Sequence, residues 1–451
     1  MICTKTSHAP QTLHIERSKY SLITLGGNDL TFDTDLSSHA ELVAGSTFRS
    51  NIPSNATAVV FEYNSPVSSG TLLSSTDSPY PIYGNMDGTV WRITTCANSI
   101  NANTDCSSMF MSNLTTNGWT SSSALELIDL GTGFNTSNVT DMSHMFDYCS
   151  NVKNLDVSHF NTENVTNMAW MFHNCECLTS LDVSNFNTSN VTDMRGMFMD
   201  CWRLISLDVT HFNTSNVRDM GVMFEGCCYL TSLDVSNFNT NNVTNMMGMF
   251  ERCMEITNLD LSNFNTANVT DMSFMFMYCF ELRNLDLYSF NTGNVRRMEQ
   301  MFDGCRSLTG LDLSHFNTSN VTQMQGMFSG CSNLTSLDVS NFTTSNVIYM
   351  GGMFQGCNSL TTLDLSSFNT SNVSNMAWIF GYCYNLINLD LSQFDMGHVS
   401  QKVAMCEGLS TSSGACTITC PLSVETAMQS SNTFLPTTGV IFTWVRPSSS
   451  K

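Results

Sequence analysis

The sequence predicts an α/β solenoid with one parallel β-strand and one short helix per 26-residue repeat, capped at both ends. Phenylalanine recurs at intervals of 26 residues from Phe134 to Phe394, and cysteine keeps the same step from Cys149 to Cys383. A fixed period in this range marks stacked supersecondary units. Inside each period the apolar spacing also changes, from strand-like alternation to a helical rhythm.

The copy from Cys175 to Cys201 shows both halves. Leu178-x-x-Leu181-x-Val183-x-x-Phe186 sends Leu181 and Val183 inward and Asp182 outward, as a short strand does. Val191, Met194, Met197, Phe198 and Cys201 then fall on one face of about three helical turns. Ser189 or Asn190 is placed to cap that helix, with Asp193 near its positive end. Right-handed crossovers would stack the strands into one parallel sheet.

Four regions follow. Residues 1–54 are poorly patterned; 55–133 read as a β-rich N-terminal cap with a degenerate first repeat; 134–400 hold about ten repeats; and 401–451 form a C-terminal cap and polar tail. Strand-like alternation at Ala58–Tyr63 and Thr89–Ile93, with Met109-Phe110 mimicking the Met-Phe pair of the repeat, supports the first cap. Cys416–Cys420 and Val440–Val445 read as strands and Ser423–Gln429 as a helical turn in the second.

Charge is sparse and acidic: 17 Lys and Arg face 38 Asp and Glu across 451 residues, for a net charge of −21. That disfavours nucleic-acid partners and suits cations or basic ones. Abundant Asn, Thr and Ser fit a surface or secreted protein. No segment reaches the roughly 18 apolar residues of a membrane span, and the first residues lack the apolar core of a signal peptide. Leu435-Pro-Thr-Thr-Gly439 has the letters of a sorting signal, but the short Val440–Val445 run after it fits a turn and strand better.

The periodic cysteines read as a buried thiol ladder, since free cysteine is small and apolar. Cys96 with Cys106, and Cys406 with Cys416 or Cys420, are the better disulfide candidates. Aspartate forms a file from Asp156 to Asp390, and Asp182, Asp208, Asp234 and Asp260 are the calcium candidates within it. Hydrogen bonds from Ser, Thr or backbone amides are the competing explanation. Threonine forms another file, Thr136 to Thr370, which raises ice binding against turn bonding. His159, His211 and His315 share one position but lie too many repeats apart to share a metal.

Positions flanking the Met-Phe pair and the ladder cysteine vary. They hold Trp170, Trp202, Tyr229, Phe274, Phe280, Trp378 and Tyr384, the candidate partner-binding residues, because aromatics are strong contacts where exposed together. No nucleophile–base pair, phosphate loop or zinc-protease motif is present, so no enzyme and no cofactor is expected.

The repeat LxxLDxSxFxTxxVxxMxxMFxxC resembles that of the bacterial 26-residue-repeat surface proteins of BspA type, over roughly residues 96–400. The resemblance implies a leucine-rich-repeat-like solenoid, on a cell surface or secreted, with adhesive or interaction roles. It supplies no catalytic residues. The expected function is therefore non-enzymatic recognition or adhesion, with a host or neighbouring-cell surface protein or glycan as partner. A structural surface-layer or spacer protein is the alternative, and ice binding through the Thr ladder a further one.

Overall fold

The computed structural model describes residues 11–15, 21–26, 29–32, 38–65, 69–112, 124–409, 415–430 and 441–445. Hydrogen bonds join each repeat to the next. Met142, His144, Phe146 and Tyr148 donate their amides to the carbonyls of Asn167, Ala169, Met171 and His173, at 2.8–3.0 Å. The intervening Met145, Asp147 and Cys149 donate to carbonyls three residues back, at 3.1–3.2 Å. Parallel bridges run without a break in steps of one repeat from Asp141 to Gln401, with Asp105 paired to Asp141 before them.

This pattern replaces the expected helix. An α-helix needs successive amides bonded four residues back and negative φ throughout. Here alternate amides leave for the neighbouring repeat. Two residues four apart also adopt left-handed backbone, His144 at φ +56° and Tyr148 at +59°, and the pair recurs to Ala404 (+55°) and Gly408 (+69°). The expected cap residues have other work: the Asn190 side-chain amide donates to the Glu163 carbonyl at 2.7 Å, and Asp193 accepts the Arg195 amide at 2.9 Å. Among the described residues the helices are Gly45–Asn51 and Leu422–Ser430, both outside the repeats.

Among the described residues the expected single long sheet is also missing: their strands fall into five separate sheets, and within the repeats these include short pairs such as Asn258–Leu259 with Asn284–Leu285. The cause is local. Asp182 accepts the amide of Ser184 at 3.0 Å, so the run of amides free to pair between repeats ends at that corner. Asn187 and Asp193 capture the amides two residues on in the same way, so three such corners turn each repeat back on itself.

The interior is a stack of rings. Phe110, Phe146, Phe172, Phe198 and Phe224 lie 5.4–5.8 Å apart with their planes within 8° of parallel. The column continues through Phe250 to Phe380. These rings are fully buried, and burying one contributes about 1.5–3 kcal/mol. The ladder cysteines line the same interior as free thiols, and each sulfur donates to a phenylalanine carbonyl of the preceding repeat, as Cys175 does to Phe146 at 3.2 Å. Burial pushes the Cys201 and Cys279 thiols up to about 12. A thiol reagent added to native protein is therefore expected to leave all ten ladder cysteines, Cys149 through Cys383, unmodified until denaturant is added. Fast native labelling would contradict this.

At the N-terminal end, strands Leu127–Asp129, Ala58–Glu62, Val90–Thr95, Ile82–Asp87 and Thr71–Leu72 form a sheet in that order. Phe48 of helix Gly45–Asn51 packs on Phe61, Trp91 and Phe110, which closes the ring column. This helix and the strand His39–Glu41 lie in the segment read from sequence as poorly patterned. At the other end, Thr362–Leu363, Asn388–Asp390, Ala415–Thr419 and Ile441–Val445 pair in parallel. Of the expected flank disulfides, Cys96–Cys106 and Cys406–Cys420 do not form, since Cys96, Cys106 and Cys420 are free thiols; the side chain of Cys416, the other expected partner of Cys406, lies outside the described residues. The Leu435–Gly439 pentapeptide is outside them as well.

Candidate functional site

The constant files are consumed by the fold. Each file threonine is buried and its hydroxyl donates to a backbone carbonyl of the next repeat, and all but Thr162 also accept the amide of that same residue. Thr240, for example, donates to the Asn265 carbonyl at 3.0 Å and accepts its amide at 2.7 Å. A buried column presents no hydroxyl face to ice. At the histidine position His211 Nε2 meets the Val183 carbonyl at 2.9 Å, His315 Nε2 the Leu287 carbonyl at 2.7 Å, and Asn263 donates to the Ser236 carbonyl, whereas His159 packs edge-on against Phe160 with no hydrogen bond from its ring.

The aspartate file is exposed. Asp208 accepts the Thr210 hydroxyl at 2.7 Å and the Thr210 amide at 3.0 Å. Such bonds hold Asp182, Asp208, Asp234 and Asp260 below the ordinary carboxylate range, the hydroxyl bond being the largest cause. These four calcium candidates each commit one oxygen to their own turn. Among the described residues no group of three or more His, Cys, Asp and Glu is placed to hold a metal ion.

The seven variable aromatics do not form one edge. Trp170, Phe274 and Trp378 are half-buried at the first left-handed position of their repeats. The Trp170 ring lies over Gly196 of the next repeat, where an added Cβ would sit 2.4 Å from it, and Arg195 stands 5.6 Å from the ring centre. Phe280 is half-buried under Arg306, at 4.4 Å. Trp378, Tyr382 and Tyr384 form a chain of ring contacts at 5.7 and 6.0 Å. Packing along the array thus occupies several residues that variability alone suggested were free. Trp202 (40% exposed), Tyr229 (59%) and Tyr384 (42%) remain open to solvent.

Two clusters were not visible as clusters in the sequence. Buried Asp147 pairs with His144 Nδ1 and His173 Nδ1, each at 2.7 Å. On the next repeats Asp200 accepts the Trp202 indole N–H at 2.7 Å, with Glu225 and Glu251 half-buried beside it. Desolvation first, and neighbouring carboxylates second, push Glu225 up to about 8; desolvation lifts Glu251 to about 7. The signal was the 26-residue offset between Glu225 and Glu251, which stacking converts into contact distance.

Raised carboxyl values make a pH prediction. The stabilising contribution of these two groups is fully present below their unfolded value near 4.5 and is lost as pH rises through about 7 and about 8. The melting temperature is expected to fall between pH 5 and pH 8.5, and Glu225→Gln with Glu251→Gln to flatten that slope. An unchanged slope in the double variant would count against the assignment. The aspartate file acts in another window: its lowered values stabilise above the unfolded value of 3.8 and lose effect in more acidic solution.

Among the described residues no helix is long and apolar enough to cross a membrane. No curated protein and no solved structure matches the chain. One family model does, in three overlapping stretches, residues 104–227, 200–311 and 298–417. They cover the stacked repeats and well over half of the sequence, so the chain belongs to the family described as Mycoplasma protein of unknown function, DUF285.

Proposed function

We propose that this is a non-enzymatic recognition or adhesion protein that binds a macromolecular partner through the outer edge beside its ladder cysteines. In this reading the repeats make a leucine-rich-repeat-like solenoid related to the BspA-type surface proteins, working at the cell surface or outside the cell. The observation that carries it is the exposure of Trp202, Tyr229 and Tyr384 in an array whose constant Thr and Asn positions already have partners in the stack. Solvent-exposed aromatics are the residue type that dominates interface energies.

The test is capture from cell-surface extracts by immobilised protein, repeated with W202S/Y229S/Y384S. Circular dichroism of the triple variant should match the parent, while binding to the captured partner drops by about tenfold or more. Intact folding with undiminished binding would place the partner elsewhere. Capture of nothing but further copies of this chain would favour a spacer role.

A further inference from the structure

We propose that Trp202 and Tyr229, with the carboxylates of Asp200, Glu225 and Glu251, form a docking site for a basic, Arg- or Lys-rich peptide segment of a partner. This rests on the recognition reading and names the chemistry of what is recognised. Trp202 and Tyr229 stand on consecutive repeats, one position apart relative to the ladder cysteines Cys201 and Cys227, and so about 5 Å apart along the stack. Ile205, 58% exposed, extends the apolar surface on the Trp202 repeat. An indole face flanked by carboxylates suits a guanidinium or ammonium, whose aliphatic stem then lies along Tyr229 and Ile205.

Charge complementarity commits the occupant. Around Glu225 and Glu251 stand Asp200, the Arg252 guanidinium, the Tyr278 hydroxyl and the buried Cys253 and Cys279 thiols. Glu176 and Arg203 lie on the far side of Asp200, which also faces Cys228. Carboxylates outnumber guanidiniums, and desolvation together with mutual repulsion lifts both Glu225 and Glu176 above the ordinary range. An arriving cation relieves that repulsion and favours the ionised forms. Binding must then release protons and tighten as pH rises, the reverse of the stability trend of the free protein.

The probe is fluorescein-labelled nona-arginine, titrated by anisotropy against the full chain at near-physiological salt. Binding should tighten by about fivefold from pH 6 to pH 8 and weaken by about tenfold in W202S/Y229S. E225Q/E251Q, which leaves the aromatics in place, should weaken binding at pH 8 and remove the pH dependence. D312N/D338N removes two carboxylates from the exposed aspartate file and keeps their turn acceptors, so it should change affinity less than about twofold. Equal losses in D312N/D338N and E225Q/E251Q would reduce the effect to overall charge and overturn the site. Unchanged binding in correctly folded W202S/Y229S would overturn it too. If a captured surface partner depends on the exposed aromatics but is not displaced by nona-arginine, recognition stands and the basic-segment assignment fails.

Discussion

Removal of the 26 residues Phe238–Asn263 is expected to leave a folded, slightly shorter protein whose melting temperature lies within a few degrees of the parent. The bonds that hold the array connect residues one repeat apart: Thr hydroxyls reach 25 residues on, and Cys sulfurs reach 29 back. Removing one full period puts Phe264 where Phe238 stood, so each of these partners is replaced by its equivalent. Removing only Phe238–Phe250 should abolish cooperative melting. That deletion sets the Met-Phe segment against the aspartate corner and leaves buried Thr and Cys donors opposite the wrong carbonyls, each costing about 1–3 kcal/mol. Circular dichroism melts and limited proteolysis read the difference. Similar damage from both deletions would mean that the repeats are not interchangeable units.

Truncation of one ring in the central stack should have the largest effect of any single substitution. Phe224 is fully buried between Phe198 and Phe250, at 5.8 and 6.0 Å, with Phe238 at 6.4 Å. Its neighbours are held by bonds between repeats, Phe198 to the Met223 carbonyl and Phe250 to the Met275 carbonyl, each at 3.0 Å, and cannot collapse into the space. Phe224→Ala is expected to cost about 3–5 kcal/mol in urea unfolding. Tyr288→Ala, at an 81% exposed ring, should stay within about 0.5 kcal/mol. A small loss at Phe224 would show that the stack relaxes around the cavity.

The local misreading has a specific origin. Val191, Met194, Met197, Phe198 and Cys201 do all face the interior, as the helical spacing required, and all are fully buried. A chain of three-residue turns buries positions three and four apart equally well. The glycines argue against a helix. Gly196, Gly248, Gly326 and Gly352 recur before the Met-Phe pair, and Gly226, Gly304, Gly330 and Gly356 before the ladder cysteine, all with positive φ. Glycine recurring at two places four apart marks left-handed backbone and is poor helix chemistry. Trp170, Phe274 and Trp378 occupy the same backbone state, which disguised the position as merely variable.

The sequence alone determined the period and the buried Phe, Met, Val and Cys positions, and it left the aspartate file open between calcium and hydrogen bonds from Ser, Thr or backbone amides. Each depends on residue type and spacing inside one repeat, and a 26-fold shift reproduces it at every level of the stack. Only the tertiary structure decided the direction of the amides and the company of the side chains. An amide that bonds three residues back and one that bonds the next repeat have the same local sequence. The choice follows from a neighbouring repeat lying in register to accept it. The same stacking brought Asp147 between His144 and His173, drew Trp170 over Gly196, and set Glu225 beside Glu251. Apart from His144–Asp147, those contacts join residues 26 apart, and no local pattern specifies which of them touch until the repeats are packed.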